Sequence, residues 1–240
     1  DPKIQPFEVL FDDGVHTALR TGFGATIRRT ATAPMPSFEK FLVEAPEDMA
    51  AYAFEDPLDP RRYLEGGDDQ INGVGDAINR NLPAWSDRLD SYKDDFVLFG
   101  SICDGYEFIW RCIGTENALI FPVDEPELFS AFLDRAAQFL YGIVEGQLRY
   151  AKGRLQGMYI WGDVAYKKGL LFSPAFWRAH FKPGLKAMID ECHARGLPVI
   201  YHGCGNVHRI FEDFIEVGVD AYNPLEAKAG LDAVDLRRQR

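Results

Sequence analysis

The chain has 240 residues, 47% of them hydrophobic and 13% aromatic, enough for a sizeable core in one α/β domain or two small ones. A formal net charge of −11 argues against non-specific nucleic-acid binding and against an anionic membrane surface. No apolar run approaches the roughly 20 residues of a membrane span, and no signal peptide is visible, although one already removed would leave no trace ahead of Asp1. Residues 1–94 read as irregular. Asp12-Asp13-Gly14 is a turn, and residues 25–32 alternate enough for a strand, paired in a hairpin with Phe7 to Phe11. Pro46-Glu47-Asp48 opens a helix, Asp56, Pro57, Asp59 and Pro60 break the chain, and a surface helix is expected over Asp76 to Arg88. This section is expected to be an elaborated rim of one domain spanning 1–240.

From Asp95 a βα rhythm sets in. Phe96 to Phe99 reads as a buried strand. Asp124-Glu125-Pro126 suits a helix start, and the apolar stripe of Leu128, Phe129, Phe132, Leu133, Ala136, Phe139, Leu140, Ile143 and Val144 carries that helix to about Lys152. Gly157 to Trp161 is a strand ending in Gly162-Asp163. Ser173-Pro174 is an N-cap followed by an N1 proline, and the helix to Arg195 should kink at Pro183. Pro198 to Tyr201 is a buried strand ending in His202-Gly203-Cys204. Asn206 is a plausible N-cap for a helix carrying Val207, Ile210, Phe211, Phe214 and Ile215, which Gly218 stops. A short strand, Val219 to Asn223, leads to Glu226.

Strand carboxyl ends in parallel βαβ units gather at one face, where ligands bind. An imidazole, a thiol and a carboxylate (His202, Cys204, Glu226) therefore meet at neighbouring strand ends, and all are zinc-ligand types. In His-x-Cys, positions i and i+2 point the same way. A lone histidine or cysteine would be read as a core group; the trio points to metal binding or catalysis. Cys103, Cys112, Cys192 and Cys204 make no disulfide framework and suit a reducing, cytoplasmic setting. No Gly-x-Gly-x-x-Gly, P-loop or Gly-x-Ser-x-Gly elbow is present. Polar residues at strand ends favour a (β/α)8 TIM-type barrel over a doubly wound sheet. Only four parallel strands are firm, however, so the early section supplies the others or the barrel is incomplete in this chain.

Trp161-Gly162-Asp163, Lys168 to Pro174, Phe181-Lys182-Pro183, His202 to Val207 and Gly218 to Pro224 together resemble the uroporphyrinogen decarboxylase superfamily, over about Phe96 to Asp235. The resemblance implies a (β/α)8 barrel and one of two activities. Its decarboxylases are metal-free and hold substrate carboxylates with an arginine-rich N-terminal segment, for which no counterpart is found. Its methyltransferases hold zinc through a His-x-Cys pair and work with a corrinoid. The interval from Cys204 to Glu226 also resembles that of cobalamin-independent methionine synthases. His202, Cys204 and Glu226 are thereby implied as zinc ligands; the family's fourth, a later cysteine, has no counterpart before Arg240. The expectation is a zinc-dependent methyltransferase taking a small-molecule methyl donor or thiol acceptor, with the corrinoid supplied by a partner protein docked at the barrel mouth. Asp163 is expected to orient the substrate or a ligand, with Tyr106, Trp161 and Tyr166 lining the pocket. A metal-free decarboxylase and a non-catalytic barrel are the alternatives.

Overall fold

The structure, a computed structural model, describes residues 1–30, 32–33, 35–70 and 78–238. The chain divides into two compact units, residues 1–92 with 109–132 and residues 93–108 with 133–240.

The first unit is built on a four-stranded antiparallel sheet in sequential order, β1 (Phe7–Asp12), β2 (His16–Thr21), β3 (Thr26–Thr30) and β4 (Ser37–Lys40). Leu19 and Ile27 are fully buried and Phe7 and Phe38 pack against them. The turn at Asp12-Asp13-Gly14 forms as expected: the Asp13 carboxylate accepts from the backbone N–H groups of Val15 and His16. The strand it leads into is β2, which the sequence reading missed. β2 lies between β1 and β3, so Phe7 to Phe11 does not pair with the later strand; residue 31, near that strand's expected end, lies outside the described residues. Short helices α1 (Asp48–Ala51) and α2 (Arg61–Leu64) follow. The helix expected over Asp76 to Arg88 is replaced by a hairpin of β5 (Gly67–Gln70) and β6 (Ile78–Leu82) and by α3 (Trp85–Tyr92). Pro83 is the physical reason: it cannot continue a helix and biases the preceding residue toward extended backbone. Residues 76 and 77 of that expected helix lie outside the described residues.

The chain then runs through β7 (Phe99–Cys103), α4 (Gly105–Ile113), α5 (Thr115–Asp124) and the 26-residue α6 (Pro126–Ala151). β8 (Gly157–Trp161) and a small hairpin of β9 (Ala165–Tyr166) and β10 (Gly169–Leu170) come next. Ser173 caps α7 (Pro174–His180) by accepting from the Phe176 N–H, and Pro183 divides this stretch into α7 and α8 (Lys182–His193) rather than kinking one helix. β11 (Val199–His202), a 3-10 turn (His208–Ile210), α9 (Phe211–Glu216), β12 (Ala221–Asn223) and α10 (Ala233–Arg238) complete the chain. Gly218 stops α9 as expected, its N–H and that of Val219 closing on the carbonyls of Ile215 and Phe214. Asn206 does not cap α9. Its side chain accepts from the His208 N–H and starts the 3-10 turn instead.

The second unit's main sheet has four parallel strands in the order β12-β11-β8-β7. Each strand pairs with its predecessor, so the crossovers all step the same way. That is the winding of a barrel; a doubly wound sheet reverses direction. Among the described residues the sheet does not close. The early strands form a sheet of their own, and the short connections joining β1 to β4 suit its antiparallel pairing. The expected buried strand at Phe96 to Phe99 is also displaced: Phe96 and Val97 are 62% and 70% exposed, and β7 begins at Phe99. The outer edge of β7 is closed by the buried amide of Gln147, whose Oε1 accepts from Ser101 N–H and whose Nε2 donates to Ser101 C=O.

The sheet has two unlike faces. Ile102, Met158, Ile160, Val199 and Tyr201 are buried on one, whereas Tyr159, Trp161, Ile200 and His202 are half-buried on the other. Among the described residues no helix is long and apolar enough to cross a membrane. Ile160→Ala should lower the free energy of unfolding by about 2–5 kcal/mol. Val97→Ala should change it by less than about 0.5 kcal/mol. Denaturant titration of both variants checks the register of β7; equal losses would contradict it.

Candidate metal centre

Register builds the site. Cys103, Trp161, His202 and Asn223 lie in one row across the sheet. The residues just beyond that row share the carboxyl-end face: Asp104 after β7, Gly162-Asp163 after β8, Gly203-Cys204 after β11. By the alternation of a strand, His202 and Cys204 share the half-buried face with Asp163.

One donor atom each from Asp163, His202 and Cys204 falls within 4.8 Å of the other two. His202 Nε2 is 3.9 Å from Cys204 Sγ. On the other side of the ring, His202 Nδ1 is 2.8 Å from Asn223 Oδ1. The Tyr159 hydroxyl donates to that same Oδ1 at 3.0 Å, which marks it as the amide's acceptor atom. Nδ1 therefore carries the proton, and the Nε2 lone pair faces the thiol. This is the tautomer and outer hydrogen bond that a metal-binding histidine uses. Asp163 Oδ1 accepts from the Cys204 N–H at 2.7 Å, which ties the two strand ends together.

Glu226 is not one of the three. Its Oε2 accepts from the Gly205 N–H at 2.8 Å, so it braces the loop that carries Cys204. Asp163, expected as an orienting group, instead stands in the donor cluster. Tyr106 is 1% exposed and packs among the rings of Phe172 and Phe181. Trp161 is half-buried at the end of β8. Tyr166 is exposed on the β9–β10 hairpin, and its carbonyl accepts from the Asn206 N–H, beside the cysteine loop.

Sequence reasoning missed Asn223, Tyr159 and Asp104. Asp104 is 3% exposed; it accepts from the Tyr201 hydroxyl at 2.5 Å and from the Glu107 N–H at 2.8 Å. Burial pushes its carboxyl up to about 7; those two hydrogen bonds oppose the rise, and the Glu107 and Asp163 carboxylates add to it. The Cys204 thiol is raised by burial first and then by Asp163 and Glu226. With no cation beside it, it stays a protonated thiol at neutral pH.

The sequence pattern of the family described as Uroporphyrinogen decarboxylase (URO-D) matches residues 18–234. The chain belongs to the uroporphyrinogen decarboxylase family. No curated protein was found to match it. The family is one of enzymes on a TIM-type barrel, which agrees with the one-way winding of the parallel sheet.

Whether this family member's residues fit zinc is a question of distance and donor chemistry. Bonds of about 2.1 Å to nitrogen and about 2.3 Å to sulfur, at a tetrahedral angle, set those atoms about 3.6 Å apart. The observed 3.9 Å needs only a small rotation. The nitrogen, sulfur and oxygen set suits zinc, and a three-residue set leaves the fourth position open, as catalytic zinc sites do.

The Asp104 environment gives a pH test. The groups facing its carboxyl are Tyr201, Glu107, Asp163, Tyr106 and Tyr222. With a folded value near 7 against an ordinary 3.8, the folded state holds a proton that the unfolded chain has released. That contribution to stability is complete below about pH 4 and is lost as pH rises through 7. Asp104→Asn should remove the loss. The stability of wild type relative to the variant should fall between about pH 4 and about pH 7, with a slope of at most about 1.4 kcal/mol per pH unit. Denaturant midpoints at several pH values check it; parallel curves would contradict a raised Asp104.

Proposed function

We propose that the protein is a zinc-dependent methyltransferase moving a methyl group between a small substrate and a corrinoid carried on a partner protein. The observation behind this reading is the convergence of His202 Nε2, Cys204 Sγ and an Asp163 oxygen at the ends of adjacent parallel strands. His202, Cys204 and Asp163 would hold the ion. Bound there, zinc supplies Lewis acidity and turns a coordinated thiol into a thiolate at neutral pH. Asn223 and Tyr159 keep the proton on Nδ1 of His202, so Nε2 stays a donor. Asp163 is exposed and lies against the thiol, so it is placed to pass the Cys204 proton to solvent. Glu226 fixes the Cys204–Gly205 peptide and keeps the sulfur from swinging away. Tyr166, Lys167 and Lys168, all exposed on the hairpin beside this loop, form the rim that a corrinoid protein would meet.

The second reading, a metal-free decarboxylase, draws on the activity for which the family is named. It requires cations to hold a polycarboxylate. The groups gathered at these strand ends are acidic instead: Asp104, Glu107, Asp163 and Glu226. In the early section Arg20 and Arg28 are already paired with Glu8 and Glu39. That balance favours a cation at the site over a polyanion.

Metal analysis of the purified protein should find about one zinc per chain. His202→Ala should lose most of it, together with methyl transfer to or from added cobalamin. Carbon dioxide release that persists in chelator, with no zinc in the wild type, would establish the decarboxylase.

A further inference from the structure

Two tyrosines on the helix-covered face of the sheet treat two glycines alike. Tyr201, on β11, places its hydroxyl 3.1 Å from the carbonyl oxygen of Gly162, at the end of β8. Tyr222, on β12, donates to the carbonyl of Gly203, at the end of β11, at 2.8 Å. The N–H of each glycine is held as well: Gly162 donates to the His202 carbonyl at 2.9 Å and Gly203 to the Asn223 carbonyl at 3.0 Å. Gly203 is thus held at both ends by the next strand along; Gly162 is held at its N–H, and at its carbonyl by the single Tyr201 hydroxyl hydrogen, which is shared with the closer Asp104 carboxyl. The residue after Gly162 is Asp163, and the residue after Gly203 is Cys204.

The side-chain alternation explains why these positions are glycine. Gly162 and Gly203 fall on the tyrosine side, between residues that face the donor cluster. A Cβ on Gly162 would collide with the Asp104 carboxyl, and one on Gly203 would come within 3.0 Å of the Tyr222 hydroxyl. The two tyrosines are paired in register and their rings stack 5.7 Å apart, 24° from parallel, so neither hydroxyl moves alone. Tyr201 is fully buried and anchored on Asp104.

We infer that Tyr201 and Tyr222 are positioning residues for the metal ligands: each fixes, through a glycine carbonyl, the peptide that carries Asp163 or Cys204. The inference rests on the metal reading above. The two arms act on different ligands. Tyr222 governs the Gly203–Cys204 peptide, whose N–H is in turn bonded to Asp163. Tyr201 governs the Gly162–Asp163 peptide. A purely structural role would lower stability alike in any tyrosine that lost such a bond.

The test compares Tyr222→Phe, Tyr201→Phe and Tyr63→Phe in the whole protein. Tyr63 is the control: it is buried and donates to the Pro57 carbonyl at 2.6 Å, in the other unit. Zinc affinity is measured by chelator competition, and the coordination by the absorption of the cobalt(II)-substituted protein. Tyr222→Phe should weaken zinc binding by about 10-fold to 100-fold and weaken or shift the thiolate-to-cobalt band. Tyr201→Phe should weaken binding by a similar factor and leave that band in place. Tyr63→Phe should lower the melting temperature and leave both readouts unchanged. Wild-type affinity and spectrum in both site variants would overturn the inference while leaving the zinc reading intact. Failure of wild type to bind zinc or cobalt would overturn both. If one site variant does not fold, the other decides the matter through its own ligand.

Discussion

Parallel register between β8, β11 and β12 is the constraint from which the site follows. Strand alternation has a period of two, so a slip of one residue in β11 would carry His202 to the helix-covered face and Tyr201 to the open one. The imidazole would lose Asn223 and Tyr159, which are near it only because Tyr159, Trp161, His202 and Asn223 belong to one face. The same slip would bring a glycine, Gly203 or Gly205, to the position from which Cys204 now meets His202. Apolar burial pins the register: Met158, Ile160, Val199 and Tyr201 are all fully buried. At roughly 1.5–3 kcal/mol for each large apolar side chain, turning those residues outward costs more than any single polar contact at the site could return. The chemistry is thus aligned by hydrophobic burial on the opposite side of the sheet.

The electrostatics at these strand ends run against ordinary stability. Asp104 and Glu107 are both nearly buried, and Asp163 and Glu226 stand close to the Cys204 thiol. Elsewhere the protein pairs its buried acids with cations. Asp213, also nearly buried, sits between Arg178 and Lys182, and its carboxyl is held below the usual range. At the strand ends Asp104 accepts from the Tyr201 hydroxyl and the Glu107 N–H, Asp163 from the Cys204 N–H and Glu226 from the Gly205 N–H. Such an arrangement raises the proton affinity of Asp104 and of the Cys204 thiol together, and a divalent cation relieves both. Gathered acids, an imidazole hydrogen-bonded through Nδ1 and a thiol kept protonated are what the strand ends bring together.

The sequence carried some of this openly. Gly157 to Trp161 and Pro198 to Tyr201 are apolar runs bounded by breakers, and β8 and β11 form there within a residue. His-x-Cys at a strand end was legible because alternation aims both groups one way whatever surrounds them. The early section was legible in part: strands form at Phe7–Asp12 and Thr26–Thr30, close to where the sequence placed them, but periodicity could not show that β2 intervenes between them. Asp104 was lost with the misplacement of β7. Phe96 and Val97 look like strand interior, but what they pack against, and whether they pack at all, is a tertiary matter. Had the strand been read as Phe99 to Cys103, Asp104 would have been a strand-end acid like Asp163. Asn223 was hidden for a different reason. It was read only as the end of the short strand Val219 to Asn223, and only the pairing of His202 with Asn223 makes it the partner of the imidazole.

The two faces of the sheet therefore divide the labour. Donor atoms leave the strand ends on the half-buried face, where substrate and solvent can reach them. Rigidity comes from the buried face, where a tyrosine grips a peptide without entering the donor cluster. Glycine is what lets one peptide serve both sides, since any side chain at position 162 or 203 would occupy the space that Asp104 or the Tyr222 hydroxyl now fills. The Trp-Gly-Asp and His-Gly-Cys sequences are then one construction used twice, a ligand-bearing residue set next to a glycine held by the neighbouring strand. The construction needs only a strand to one side, so the four parallel strands among the described residues are enough to build it.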